Sequence, residues 1–236
     1  MSARVGVQLY TVRDEWARDL PGTLRTIASL GYEGVELFGA VDAGAVRAVL
    51  DELGLEVAGR HVNLDADLDA VADDAAVLRC NRVALAWIDP VSTPAERDAA
   101  VERIVAFGER ARTAGLEFAF HNHWSEVPRL ADGVSLLECL PAWIALELDL
   151  GWVWYAGASP LELLAWAQGR TPLVHLKDLR AREPLEFCPV GDGAVGYETI
   201  VPRASELGVE WLVVEQDELD RAPADALRRS FEAVAA

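Results

Sequence analysis

Four segments of the chain share one local pattern: Leu or Ala, then Gly, an apolar residue, Glu, and a run of Val, Leu, Phe or Trp. They are LGYEGVEL (30–37), LGLEVAGRH (53–61), AGLEFAFHNH (114–123) and LGVEWLVVEQ (207–216). Before them stand TLRTIASL, AVRAVLDEL, ERDAAVERIVAFGERARTA and TIVPRASEL, whose apolar positions recur at helical spacing. Gly at this point suits the left-handed cap that ends a helix, and an unbroken apolar run suits a strand covered on both faces. Each pattern therefore predicts a helix, a sharp turn and a buried strand.

Four further apolar runs complete the series: VGVQLYTV (5–12), NRVALAWI (81–88), WIALELDLGW (143–152) and PLVHLKDL (172–179). AERDAAVERIV, PLELLAWAQ and ETIVPRASEL supply helical text after the last three, and APADALRRSFEAVAA reads as a closing helix. Eight strand–helix units in 236 residues have the rhythm of a parallel sheet. At this length they predict an α/β fold closed into a (β/α)8 TIM barrel rather than an open doubly wound sheet. Neither a GxGxxG nor a GxxxxGK phosphate loop is present, which removes the commonest nucleotide-binding alternatives. With no linker or low-complexity stretch, 1–236 reads as a single barrel domain.

Composition narrows the function classes. The chain is 52% hydrophobic, enough to bury a substantial core. Its formal net charge of −18 repels phosphate backbones and anionic lipid, so no nucleic-acid and no membrane partner is expected. A small anionic ligand would need a local basic pocket, for which Lys177 and Arg60 are the candidates. Cys80, Cys139 and Cys188 are odd in number and far apart, and read as free thiols. No apolar run reaches the length of a membrane span, and MSARVGVQLY has no charged leader before an apolar stretch. The expected location is the cytoplasm.

In a barrel of this kind, chemistry gathers at the C-terminal ends of the strands. Those ends carry Gln8, Glu36, His61, Trp87, His121 with His123, Asp149 with Trp152, His175 with Lys177, and Glu215. All four histidines of the chain are among them. The two-residue period of a strand puts His121 with His123, Glu147 with Asp149, and His175 with Lys177 on common faces. Imidazoles and carboxylates converging from separate strands suit a divalent ion such as Mn²⁺, Zn²⁺, Co²⁺ or Mg²⁺. Spacing alone also allows structural histidines, a capping Asp149 ahead of Gly151, and ion pairs of Lys177 with Glu147 or Glu215.

GVQLYTVRDE, GYEGVELFG, the HNH of 121–123, LELDLGWVWYAGASP, VHLKDL, VGDGAVGY and VEQDE follow one another along almost the whole chain. In this order they resemble the xylose isomerase-like TIM barrels, the sugar phosphate isomerase/epimerase superfamily. The similarity is to the branch whose fifth strand ends in HNH, which includes inosose dehydratases and keto-sugar enzymes. The resemblance implies one divalent metal ion held by His121, Asp149, His175 and Glu215. It implies a metal-dependent isomerase, epimerase or lyase that abstracts a proton next to a metal-bound carbonyl of a sugar, keto-sugar or cyclic polyol. Glu215, Lys177, His123 and His61 are the catalytic candidates. Gln8, Glu36, Trp87, Trp152 and Lys177 are the substrate-binding ones, with Trp154 as a further aromatic wall. Asp178 should face away and fix its loop.

One departure bears on mechanism. Sugar epimerases of the superfamily usually carry Glu where His121 stands, so a symmetric two-glutamate proton exchange lacks one member here. Two rivals share the fold. An apurinic endonuclease-like phosphodiesterase calls for a basic face and ligands for three metals; a non-catalytic sugar-binding barrel calls for no chemistry at all. The expected partner is a small carbohydrate or polyol, with a homodimer possible.

Overall fold

The computed structural model describes residues 3–236. All eight expected strands form. They are β1 (Arg4–Gln8), β2 (Gly34–Phe38), β3 (Glu56–Val62), β4 (Arg82–Leu85), β5 (Glu117–His121), β6 (Ala145–Asp149), β7 (Leu173–Leu176) and β10 (Trp211–Val214). They close in the order β1-β10-β7-β6-β5-β4-β3-β2, and every neighbouring pair is parallel. The two remaining strands, β8 (Asp178–Ala181) and β9 (Glu186–Cys188), make an antiparallel hairpin directly after β7. The sequence pattern did not predict that hairpin.

Helices α2 (Leu20–Ser29), α3 (Ala43–Leu53), α5 (Pro94–Thr113), α8 (Pro160–Trp166), α9 (Tyr197–Glu206) and α10 (Pro223–Val234) lie where helical periodicity placed them. Gly31, Gly54, Gly115 and Gly208 all take positive φ, so the four repeated patterns do turn through the left-handed region. Helix α4 (Leu68–Leu78) was not anticipated. Arg79, rather than Gly, takes the left-handed conformation at its end with φ 59°, and Asp and Ala fill much of its sequence. Short helices α1 (Arg13–Arg18), α6 (Leu136–Cys139) and α7 (Leu150–Tyr155) complete the chain.

The main apolar core lies between barrel and helices. A smaller cluster of Ala58, Leu173, Trp211 and Val213 is separate from it. Trp211 is 1% exposed and stands over Gly34: a Cβ there would come within 2.5 Å of the indole and 2.7 Å of the Glu56 carbonyl oxygen. Gly34→Ala is therefore expected to destabilise the chain by about 1–3 kcal/mol through overpacking. A urea midpoint equal to that of the parent would contradict this packing. The three cysteines are free, and no described helix is long and apolar enough to cross a membrane.

Candidate metal and catalytic site

Several strands turn buried polar side chains into the barrel. Period-two alternation in β6 turns both Glu147 and Asp149 inward, and both are fully buried. β5 ends on His121, β7 carries His175, and Glu215 follows β10. One donor atom from each of His121, Asp149, His175 and Glu215 lies within 4.8 Å of all the others. The four proposed ligands thus meet, although they come from four different strands.

Local structure fixes each of them. Asp149 caps α7, its Oδ1 accepting the Trp152 N–H at 2.9 Å. Its backbone N–H donates to Asn122 Oδ1 at 3.1 Å, and Asn122 Nδ2 donates back to the Asp149 carbonyl at 3.3 Å. The middle residue of HNH is therefore a clamp between β5 and β6. Glu126 holds the third: its Oε2 accepts the His123 backbone N–H at 2.6 Å. His175 Nδ1 is 2.8 Å from Glu215 Oε2.

Lys177 is 1% exposed, and its Nζ lies 2.9 Å from Asp149 Oδ2, 3.1 Å from Glu215 Oε2 and 3.0 Å from Asp217 Oδ1. The expected pairing with Glu215 forms, and that with Glu147 does not. Burial works against the ammonium charge, but Asp149, Asp217 and Glu215 outweigh it and hold the Lys177 pKa well above the usual range. Tyr197 anchors the same residue by accepting the Lys177 N–H and donating to its carbonyl. Asp178 behaves as expected. Its carboxylate accepts the N–H groups of Gly191, Gly193, Val195 and Leu179 and fixes the VGDGAVGY loop.

The remaining charges are set by burial and neighbours. Desolvation raises the Asp149 carboxyl to about 6. Burial would also raise Glu215, but Lys177 and His175 hold it well below the ordinary value. Desolvation drives His121 down to about 3 and His123 down to about 2, so both are neutral imidazoles near pH 7. For His61 and His175 burial is overcome by Glu36 and Glu147, and both are raised.

Above this floor opens a cavity of about 490 Å³. His61, His121, His123, Lys177, Glu215 and Asp217 face it, with aromatic walls from Trp87, Trp124, Trp152, Tyr10 and Phe38. Trp87 and Trp152 were anticipated; Trp124, Tyr10, Phe38 and Asp217 were not. Trp154 is not in the lining and instead lies under the Arg182 guanidinium.

Three further expectations need revision. Gln8 and Glu36 do not line the cavity: both are fully buried, and Gln8 Nε2 donates to Glu36 Oε2 at 2.8 Å. β2 runs one inward position past Glu36, so Phe38 reaches the cavity in its place. Arg60 does not build a basic pocket. Strand alternation turns it away from His61, and its guanidinium bonds Asp74 at 2.8 Å and the Gly39 carbonyl.

The residues suit a divalent ion on two grounds. Two imidazoles and two carboxylates are an ordinary donor set for Zn²⁺, Mn²⁺ or Co²⁺. Asp149 Oδ2 is also buried and has only the Lys177 ammonium, at 2.9 Å, beside it. A second group, His61, His121, Glu147 and His175, also converges beneath the first. The upper set includes Glu215 and His121, which face the cavity where a substrate would enter.

The chain is similar to several known proteins. The inosose dehydratase of Geobacillus kaustophilus (strain HTA426) is 25% identical over 257 residues, spanning 85% of this chain and 83% of its own length. Inosose dehydratases of Lacticaseibacillus casei and Bacillus cereus (strain AH820) match over 48% and 50% of theirs. A sugar phosphate isomerase/epimerase from Parabacteroides distasonis ATCC 8503 superposes with a TM-score of 0.84 at 21% identity, covering 100% of this chain and 95% of the other. A xylose isomerase-like TIM barrel protein from Mycobacterium smegmatis, solved in complex with magnesium, does so at 0.72 and 18%, covering 99% and 97%. Residues 24–235 match the family described as xylose isomerase-like TIM barrel. The chain belongs to that family.

Proposed function

We propose that this protein is a divalent-metal-dependent lyase or isomerase acting on an uncharged keto-sugar or keto-polyol, with elimination of water beside a carbonyl as its main reaction. The observation that carries this reading is a pair of unlike groups on one cavity, the His123 imidazole and the Lys177 amine, beside the four-residue donor set. His121, Asp149, His175 and Glu215 would hold the ion. When bound, it would supply Lewis-acid polarisation of the substrate carbonyl and so acidify the adjacent C–H.

The chain's own groups do the rest. His123, on the cavity wall, is the group placed to accept the proton from carbon. As the C–O bond at the neighbouring carbon breaks, the Lys177 ammonium gives its proton to the departing hydroxyl, which leaves as water. Asp149, Glu215 and Asp217 keep that ammonium charged until the transfer. Glu215, ionised and within the same cluster, is the second candidate base. His61, 2.5 Å from Glu147, holds the cavity floor. Trp87, Trp124 and Trp152 offer faces to the apolar side of a sugar or cyclitol ring.

His121 in place of a glutamate favours elimination over a symmetric two-carboxylate epimerisation. The inosose dehydratase relatives favour it as well. Incubation with keto-inositols and keto-sugars in D₂O tests this. Deuterium beside the carbonyl together with loss of water is expected. Inversion with exchange would instead mark an epimerase, and no turnover of the whole panel would favour a binding protein.

The substrate is expected to be unphosphorylated. Among the described cavity-lining residues Lys177 is the one Lys or Arg, and its charge is already met by three carboxylates. A phosphorylated analogue should compete at least about 10-fold more weakly than its neutral parent, since each 1.4 kcal/mol is a factor of ten. Equal competition would contradict this.

A further inference from the structure

Beneath the cavity lies a layer of buried charge that the proposed reaction does not use. Glu36 and Glu147 are both fully buried. Glu147 Oε1 stands 2.5 Å from His61 Nε2, 3.0 Å from His121 Nδ1 and 3.1 Å from His175 Nε2. Glu36 Oε2 stands 2.6 Å from His175 Nε2 and accepts from Gln8. Their other oxygens, Glu36 Oε1 and Glu147 Oε2, have no hydrogen-bond partner. Aliphatic side chains fill this level of most barrels. Two carboxylates in such a place are costly to desolvate, so their presence calls for a reason.

The two histidines of the upper donor set supply it. Each has two ring nitrogens, and in each one nitrogen points down to a carboxylate. His175 turns Nε2 to Glu36 and Glu147, while its Nδ1 faces Glu215. His121 brings Nδ1 within 3.0 Å of Glu147 Oε1, close but off the hydrogen-bonding direction, so that Nε2 is left for the upper level. We infer that Glu36 and Glu147 are positioning residues that decide which nitrogen each histidine presents to the ion: Nδ1 of His175 and Nε2 of His121. Glu36 accepts the proton on His175 Nε2, and Glu147 is close enough to attract the proton to His121 Nδ1; this fixes each ring and makes the free nitrogen a better donor. His61 completes the layer between the two carboxylates, 2.5 Å from Glu147 Oε1 and 3.5 Å from Glu36 Oε2. The inference rests on the metal reading above.

The same groups allow another use, a second ion held by His61, His121, Glu147 and His175. Their sharing of His121 and His175 with the upper set and their burial favour the positioning role.

The test uses the full chain with Zn²⁺ as probe. Affinity and stoichiometry are measured by chelator competition for the parent, Glu36→Gln and Glu147→Gln, and ¹⁵N-histidine spectra are recorded with zinc bound. The parent should bind one equivalent, with metal-shifted resonances from His175 Nδ1 and His121 Nε2 and protons on the opposite nitrogens. Each folded variant should bind one equivalent about 10–100-fold more weakly, with mixed tautomers. The parent spectrum alone decides the ligating nitrogens should a variant fail to fold. Ligation through the reverse nitrogens, or unchanged affinity in both folded variants, would overturn the inference and leave the metal reading standing. Two equivalents in the parent and one in Glu147→Gln would overturn it in favour of a second ion. A parent that binds no zinc would sink the metal reading and this one together.

Discussion

Lys177→Met should be the most damaging single change at the site. The substitution keeps most of the apolar stem and removes the ammonium, leaving Asp149, Glu215 and Asp217 facing one another without their shared cation. Breaking a buried ion cluster by deleting one partner costs about 3–5 kcal/mol. Urea unfolding of the metal-free protein should show that loss. Adding Asp217→Asn should recover part of it, with a coupling energy within about 0.5–3 kcal/mol. Turnover on any substrate found should fall by about 10²–10⁴ with loss of the proton donor. A variant as stable and as active as its parent would mean that Lys177 neither balances the carboxylates nor carries a proton.

Asp149→Asn should separate two roles that share one side chain. Asn caps helices as well as Asp, so the bond from Trp152 N–H to the side-chain oxygen should survive, and Lys177 keeps Glu215 and Asp217 as partners. The negative charge facing the other donors is lost, and divalent-ion affinity should fall by at least about 100-fold, the upper end of what even a supporting residue costs. Activity should vanish with it. Asp149→Ala should lose the ion and also about 1 kcal/mol of cap stability. Normal metal binding by Asp149→Asn would remove Asp149 from the donor set and leave it a helix cap.

Much of this was legible in the sequence, and the misses have physical reasons. Strand alternation and the Gly turns placed all eight barrel strands, because a strand covered on both faces leaves an apolar run that few other elements imitate. That His121, Asp149, His175 and Glu215 stand at strand ends was legible from the barrel pattern, and their choice as a donor set came from the family resemblance. Depth along a strand was not legible. Gln8 and Glu36 are in register with each other and lie a level below the cavity, a fact set by strand stagger. Glu147 was visible on the same face as Asp149, but the three imidazoles around it depend on barrel closure. Asp217, Trp124 and Tyr10 reach the cavity from segments beyond the strands, where no periodicity predicts direction.

The central claim is that His121, Asp149, His175 and Glu215 together hold one divalent ion. Elemental analysis of the purified chain, paired with thermal unfolding before and after a strong chelator, tests it most directly. One equivalent of Mn²⁺, Zn²⁺, Co²⁺ or Mg²⁺ per chain is predicted, with a midpoint that falls on chelation and returns when the ion is restored. A chain that retains no divalent ion, takes up none on reconstitution and unfolds at the same temperature with or without chelator would contradict it.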